Sequence, residues 1–465
     1  MDSLQLALIA FLVSLAFILI SIIKFKAHPF FALIIGAIIM GIGAALPLPT
    51  IAAELATGFG NTMGGVGIII IFGIIFGQIL HESGSASQIA SMLLKSIGQK
   101  KAPLAMNLTG YVVSIPVFFD AAFVILVNLA KTISRKGKIP FITLVTALAV
   151  GLITTHSMTI PTPGPLAVVA NMGTNIPAFV VYSLLISLVA SLVGGVVYGT
   201  WLGKKEQYKS DFANSFEDEF DELEKNEAEQ TAKELPSGGL GVLLILLPIV
   251  MILMGTVVGE LLEEGTFASQ LVSFIGDRNI ALITGTVVAY VALKKYLDKS
   301  FADIIGVAAT TSGAILIITG AGGSFGRIIN QTAIGTGLGD VLEGLAGAGN
   351  VGVMFVLIGF FISQALRCAQ GSTTVALITT SAIMGPIVMD MPYASTVLVS
   401  IAICAGGVGF SLPNDSGFWV INRLSKFSME DTFKSWTTGG AIAGITALIL
   451  LVILSFFQGT LPGLL

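Results

Sequence analysis

The sequence predicts an all-α polytopic membrane protein made of two inverted repeats, each with about five transmembrane helices, one of them broken, plus a re-entrant hairpin. Three observations lead there. The chain is 54% hydrophobic and only 11% charged, with a mean hydropathy of +0.93, far to the apolar side of soluble proteins. Its lysines and arginines gather in a few short stretches between long apolar runs, as they do where basic loops are retained on the cytoplasmic side. Finally, short motifs recur at a near-constant interval: "FGQIL" (76–80) with "FGRII" (325–329), and "IPTPGPLAV" (160–168) with "LPNDSGFWV" (412–420), offset by 249 and 252 residues.

Leu4 to Ile23 is the first apolar run. It has Asp2 before it and Lys24 and Lys26 after it, the reverse of a secretory signal's positive start, and reads as a retained helix. Phe179 to Thr200, Gly241 to Val258 and Gly439 to Phe457 are likewise long enough for a core roughly 30 Å thick. With Lys24 and Lys26 inside, the stretches Lys95 to Lys101, Arg135 to Lys138, Lys204 to Lys233, Lys294 to Lys299 and Arg423 to Lys434 fall inside too. The one condition is that Pro103 to Ile133 enters and leaves on the same face. As a single helix that segment would be about 46 Å long, whereas two halves of about 23 Å make a re-entrant hairpin. Both termini are then expected outside and the central linker in the cytoplasm.

Val351 to Met389 plays the same part from the other side, bounded by Asp340, Glu343 and Asp390 with no basic residue in either flank. Between the halves runs an acidic stretch poor in branched apolar residues and closed by Pro236-Ser237-Gly238-Gly239, which reads as a solvated linker. The expected organisation is a repeat over 1–203 (hairpin 103–133, broken helix 141–173), a cytoplasmic linker over 204–239, and a repeat over 240–465 (hairpin 351–389, broken helix 394–424). Of the basic residues, Arg278 is left in an outer loop, and Arg327 and Arg367 lie in or at the edge of the membrane. Cys368 and Cys404 sit in apolar surroundings and read as free thiols.

Pro161, Pro163 and Pro165 in one half, and Pro413 with Gly417 in the other, interrupt helices at membrane depth, which is tolerated only where backbone lines a cavity or is buried in protein. Half-helix N-termini carry free N–H groups and partial positive charge. Two breaks and two hairpin tips meeting near the midplane therefore predict a site for a small anion, in the inverted-repeat plan of many secondary transporters.

The stretches "IPVFFDAAFVILVNLA" (115–130), "HSMTIPTPGPLAVVANMG" (156–173), "RCAQGSTTVALIT" (367–379) and "LPNDSGFWV" resemble, in order and over nearly the whole chain, motifs of the gluconate permease (GntP) family in the Ion Transporter superfamily. The resemblance implies a proton-coupled importer of gluconate or a related sugar acid in a bacterial inner membrane. It also implies a homodimer working by an elevator movement, with no nucleic-acid partner and no cofactor or metal. The chain departs from the family pattern at Asp120, where Glu is frequent, and at Thr162, where the family often has His.

Arg367, just before Gly371-Ser372-Thr373-Thr374, is the expected anchor for a substrate carboxylate, because a guanidinium at membrane depth needs an anionic partner and binds a carboxylate bidentately. The alternative is a structural ion pair with Asp120 or Asp415. Ser372, Thr373, Thr374 and Asn414 are expected partners for substrate hydroxyls, with Asp415, Thr162 and Gly164 beside them; Asp415 could equally cap a half-helix. Asp120, at the tip of the first hairpin, is the expected proton carrier, since burial there favours the neutral acid while a nearby arginine opposes it. His156 is the second candidate for proton coupling, against an ordinary structural role. Arg327 is expected to snorkel to the outer interface or to touch an anion.

Sodium is the alternative coupling ion, because unwound carbonyls and hydroxyls suit it. A channel would use the same broken helices. An intramembrane hydrolase would need Ser416 and His156 to meet, and nothing in the sequence orients them. "GAGGSFGRIINQ" lacks the Lys-Ser/Thr of a phosphate loop, so a nucleotide is not expected.

Overall fold

The structure, a computed structural model, describes all residues except 1–2, 99–100, 215, 217–233, 260–261, 264, 333–347, 390, 392–393, 414 and 465. The described residues form helices and connections, with no strand among them. The order begins with α1 (Ser3–Ile23), α2 (Pro29–Gly43), α3 (Leu48–Glu82) and α4 (Ser85–Ile97). Proline stands within the first two positions of α2 and α3, where its missing N–H would have no helical partner anyway. It continues with α5 (Ala102–Val113), α6 (Phe119–Gly137), α7 (Phe141–Met158), α8 (Pro163–Asn171) and α9 (Ile176–Ser191), the last running through a π turn into α10 (Tyr198–Gly203). The second half holds α11 (Gly238–Gly259), α12 (Phe267–Gly276), α13 (Arg278–Leu293), α14 (Phe301–Asn330), α15 (Ala348–Gln370), α16 (Thr373–Val388), α17 (Thr396–Val408), α18 (Ser416–Leu424), α19 (Met429–Thr432) and α20 (Thr438–Ser455). Among the described residues seven helices, or up to nine counting two bent pairs, are long and apolar enough to cross a bilayer. The chain is an all-α polytopic membrane protein.

The helices break where the sequence turns polar. α7 stops at Met158 and α8 starts at Pro163, with Pro161 between them; α17 stops at Val408 and α18 starts at Ser416, behind Pro413. The first hairpin turns over 114–118 between α5 and α6. The second turns at Gly371 and Ser372 between α15 and α16. Gly371 has φ +70°, in the left-handed region where a Cβ is unfavourable, and its N–H closes the last turn of α15 on the Arg367 carbonyl at 3.0 Å. The flanking acids Asp340, Glu343 and Asp390 lie outside the described residues.

The two broken helices form the centre. Every residue of α7 is buried, as are Val397–Val408 of α17, and the Ser157 hydroxyl of α7 donates to the Cys404 carbonyl of α17 at 2.7 Å. α5 packs on α7 and α15 on α17, while α8 packs on α16 and α14 lies along α3, α2 and α16. α3 seats both irregular segments of the first half. A Cβ on Gly77 would come within 1.9 Å of the Pro116 carbonyl at the hairpin tip, and one on Gly73 within 2.9 Å of the Pro161 carbonyl at the break. Gly77→Ala should therefore push the first tip off α3 and destabilise the fold by about 1–3 kcal/mol, the usual range for overpacking. A thermal-unfolding midpoint equal to wild type in detergent would contradict this seat.

The linker differs from expectation at its start. Rather than being solvated throughout 204–239, it docks through Phe216, which is fully buried, with the Lys131 and Lys426 ammonium groups 4.0 and 4.5 Å from the ring centroid. The Phe141 N–H donates to the Asp211 carbonyl at 2.9 Å, and the Tyr208 hydroxyl donates to Asp431. An aromatic ring between two cations gains cation–π attraction besides its burial. Residues 217–233 lie outside the described residues.

Candidate functional site

A cavity of about 180 Å³ lies where both hairpin tips meet the second break. Its volume is below the 300–1,000 Å³ usual for drug-sized ligands and suits a small polar molecule. Three half-helix N-termini end on it: α6 with Phe119 and Asp120, α16 with Ser372 to Thr374, and α18 with Asp415 to Gly417. Their helix dipoles supply partial positive charge to the space between them. The first break contributes only the end of α7, through Ile153 and His156. The N-terminus of α8 points elsewhere: Gly164 packs against Leu377 and Thr374, and the buried Thr162 hydroxyl donates to the Thr159 carbonyl. Thr162 and Gly164 thus do not line the cavity, because α8 is laid against α16 rather than beside the tips.

Arg367, in the last turn of α15, is 1% exposed. Its Nε donates to the Gly407 carbonyl at 3.2 Å, and Nη2 donates to Asp415 Oδ2 at 2.6 Å and Ser411 Oγ at 3.2 Å. Nη1 is buried with no partner among the described residues. Of the two carboxylates the sequence allowed, the structure pairs Arg367 with Asp415 and leaves Asp120 out. Asp415 also caps α18, its Oδ1 accepting the Gly417 N–H at 3.0 Å, so ion pairing and capping are combined in one residue.

Asp120 is exposed, and its Oδ2 accepts from the Ser416 hydroxyl at 3.3 Å. His156 is buried against the Phe118 ring, centroids 5.6 Å apart, with no partner for Nδ1 among the described residues. Ser416 is therefore engaged with Asp120 and not with His156, so the hydrolase pairing is not formed. Ser372 caps α16, accepting the Val375 N–H at 3.4 Å, while the Thr373 hydroxyl donates to the Gly407 carbonyl at 3.3 Å; Thr374 lines the cavity beside them. Asn414 lies outside the described residues.

Sequence reasoning missed Trp436 and Ser411. The Trp436 indole, fully buried at the start of the last span, donates to Ser411 Oγ at 2.7 Å; that hydroxyl in turn donates to Asp415 Oδ2, and the Thr437 hydroxyl donates to the Ser411 carbonyl. The available signal was the need of a buried indole N–H for an acceptor. Arg327, for which the sequence left snorkelling or an anion contact open, pairs through Nε with Glu54 of α3. Cys368 and Cys404 are free thiols. Among the described residues no three His, Cys, Asp or Glu side chains converge as metal ligands.

The family model described as GntP family permease matches residues 6–457. The chain is similar to a gluconate permease of Pseudomonas aeruginosa, 29% identical over 447 residues and covering 96% of each chain. It is also similar to the D-serine transporter DsdX of Escherichia coli, 30% identical over 449 residues, covering 96% of this chain and 97% of the other. Among solved structures it resembles the YdaH transporter of Alcanivorax borkumensis, with a TM-score of 0.61 at 13% identity and 89% of each chain covered. At that identity the likeness speaks for the fold alone.

Proposed function

Since this chain belongs to the GntP permease family, we propose that it is a secondary active transporter that imports gluconate or a related small hydroxy-carboxylate by proton-coupled symport. The observation that carries the reading is Arg367, a lining residue of the cavity whose buried Nη1 has no partner among the described residues; a substrate carboxylate oxygen would satisfy it. Gluconate and D-serine, named for two relatives, share a carboxylate next to a carbon bearing a hydroxyl or ammonium group, so the carboxylate is the common handle. Ser372 and Thr374, on the cavity lining, take the substrate's own hydroxyls in this reading.

Charge balance supports coupling to a proton. Arg367 and Asp415 neutralise one another, so an anionic Asp120 leaves the cavity with excess negative charge and opposes an incoming carboxylate. Protonating Asp120 removes that repulsion, and proton and anion then bind together, each favouring the other to the same extent. Hairpins and broken helices moving as a body against α3 and α14, in a homodimer in the bacterial inner membrane, complete the proposal.

Purified protein in proteoliposomes should accumulate radiolabelled gluconate when an inward proton gradient is imposed, and D-serine and glycerate should compete. Thermal stability in detergent should rise with these carboxylates, by mass action on the folded state, and not with the corresponding neutral sugars. Equal stabilisation by the neutral sugars would sink the anion reading; accumulation driven by a sodium gradient instead of a proton gradient would sink the proton half.

A further inference from the structure

A second and larger cavity, about 420 Å³, lies between α3, α8, α13, α14 and α16, and shares no lining residue with the first. α14 begins at Phe301, next to the loop in which Lys299 pairs with Glu82 and Lys295 with Glu234 at the end of the linker. Arg327 stands near the other end of α14, about 39 Å away at 1.5 Å per residue, which puts this cavity toward the face opposite the linker. Its wall carries Arg278 from α13 and Arg327 from α14, with Asn61, Thr62 and Asn330 among them, and no carboxylate among the described residues.

Asp277, next to Arg278 in the chain, and Glu54, beside Arg327, are already engaged. Asp277 caps α13 with Oδ1, and Glu54 holds Arg327 through Nε alone, so among the described residues the two terminal nitrogens of that guanidinium have no partner. Arg278 spends one bond, from Nη2 to the Gly65 carbonyl at 3.3 Å. Two guanidinium forks on different helices match a carboxylate, and the neighbouring amides and hydroxyl match an alcohol.

We propose that this cavity is a second binding site for a small hydroxylated carboxylate, at the other end of α16 from the Arg367 cavity, where it concentrates the anion beside the transport path. The inference rests on the carboxylate reading of the first site. Equilibrium dialysis of the purified full-length protein with radiolabelled gluconate tests it. Two equivalents should bind per chain, falling to one in the double variant Arg278→Gln/Arg327→Gln and to the other one in Arg367→Lys.

A single equivalent that disappears with Arg367→Lys and survives the double variant would overturn the second site and leave the first intact. A single equivalent with the opposite pattern would support the second site and overturn the first, and none at all would overturn both. Because Arg327→Gln strands Glu54, Glu54→Gln is the folding-neutral companion: it releases Arg327 Nε and should tighten the second equivalent several-fold. Weakening of that equivalent would count against the proposal.

Discussion

Arg367→Lys should raise the KM for gluconate uptake by about tenfold to 100-fold while leaving folded protein in the membrane, since each charge-assisted hydrogen bond that the lysine cannot make is worth about 1.5–3 kcal/mol. Lysine keeps the positive charge opposite Asp415 but cannot reach Gly407, Ser411 and Asp415 together, as the arginine does with Nε and Nη2, nor offer the further donor of Nη1, which has no partner among the described residues. Arg367→Gln should do more. It strands the buried Asp415 carboxylate, a loss of about 3–5 kcal/mol for a broken buried pair, and should express poorly. Arg367→Gln with Asp415→Asn should restore expression without restoring binding. A double variant that folds and still binds gluconate with wild-type affinity would show that the ion pair is structural and that the anchor lies elsewhere.

Asp120→Asn should abolish accumulation against a gradient, bringing the internal-to-external ratio of gluconate down to about one, because the linkage between proton and anion disappears with the titrating group. Counterflow exchange should persist, since the neutral amide imitates the protonated acid and keeps an acceptor for the Ser416 hydroxyl. Asp120 makes no ion pair among the described residues, so the change strands no buried charge, and a folded variant is expected. Continued gradient-driven accumulation in Asp120→Asn would rule out this residue as the proton carrier. Loss of exchange as well as accumulation in a folded protein would instead assign Asp120 to substrate binding.

Several features were legible because they are local chemistry. Pro161, Pro163 and Pro413 cannot sustain a helix, so the breaks on either side of 158–163 and 408–416 follow from sequence. The run from Pro103 to Ile133 was too long for one upright span and came out as α5 and α6. Arg367 had to find an anion because it lay in an apolar run. The cavity gathers Asp120, His156, Arg367, Ser372, Thr373, Thr374 and Asp415, all of them visible as polar residues in apolar stretches.

Partner choice was not legible, since it depends on how segments far apart in the chain are set against each other. Asp415 takes Arg367 because the end of α15 lies beside the start of α18, and Asp120 faces Ser416 because the first tip is held where Gly77 of α3 lets it rest. The same placement brings Trp436 onto Ser411, joins Arg327 to Glu54, and turns α8 with Thr162 and Gly164 away from the cavity. Hydropathy could not have ordered these helices. An 18-residue window of the span Phe141–Asn171 is wholly buried, while one of the more apolar Ser3–Ile22 is 39% buried, because lipid is as apolar as a protein core and a helix facing either reads alike. By itself the sequence determined that this chain lives in a membrane, where its helices break and which charges must find partners there; the tertiary structure decided which residues those partners are, because only close helix packing fixes distances between residues hundreds of positions apart.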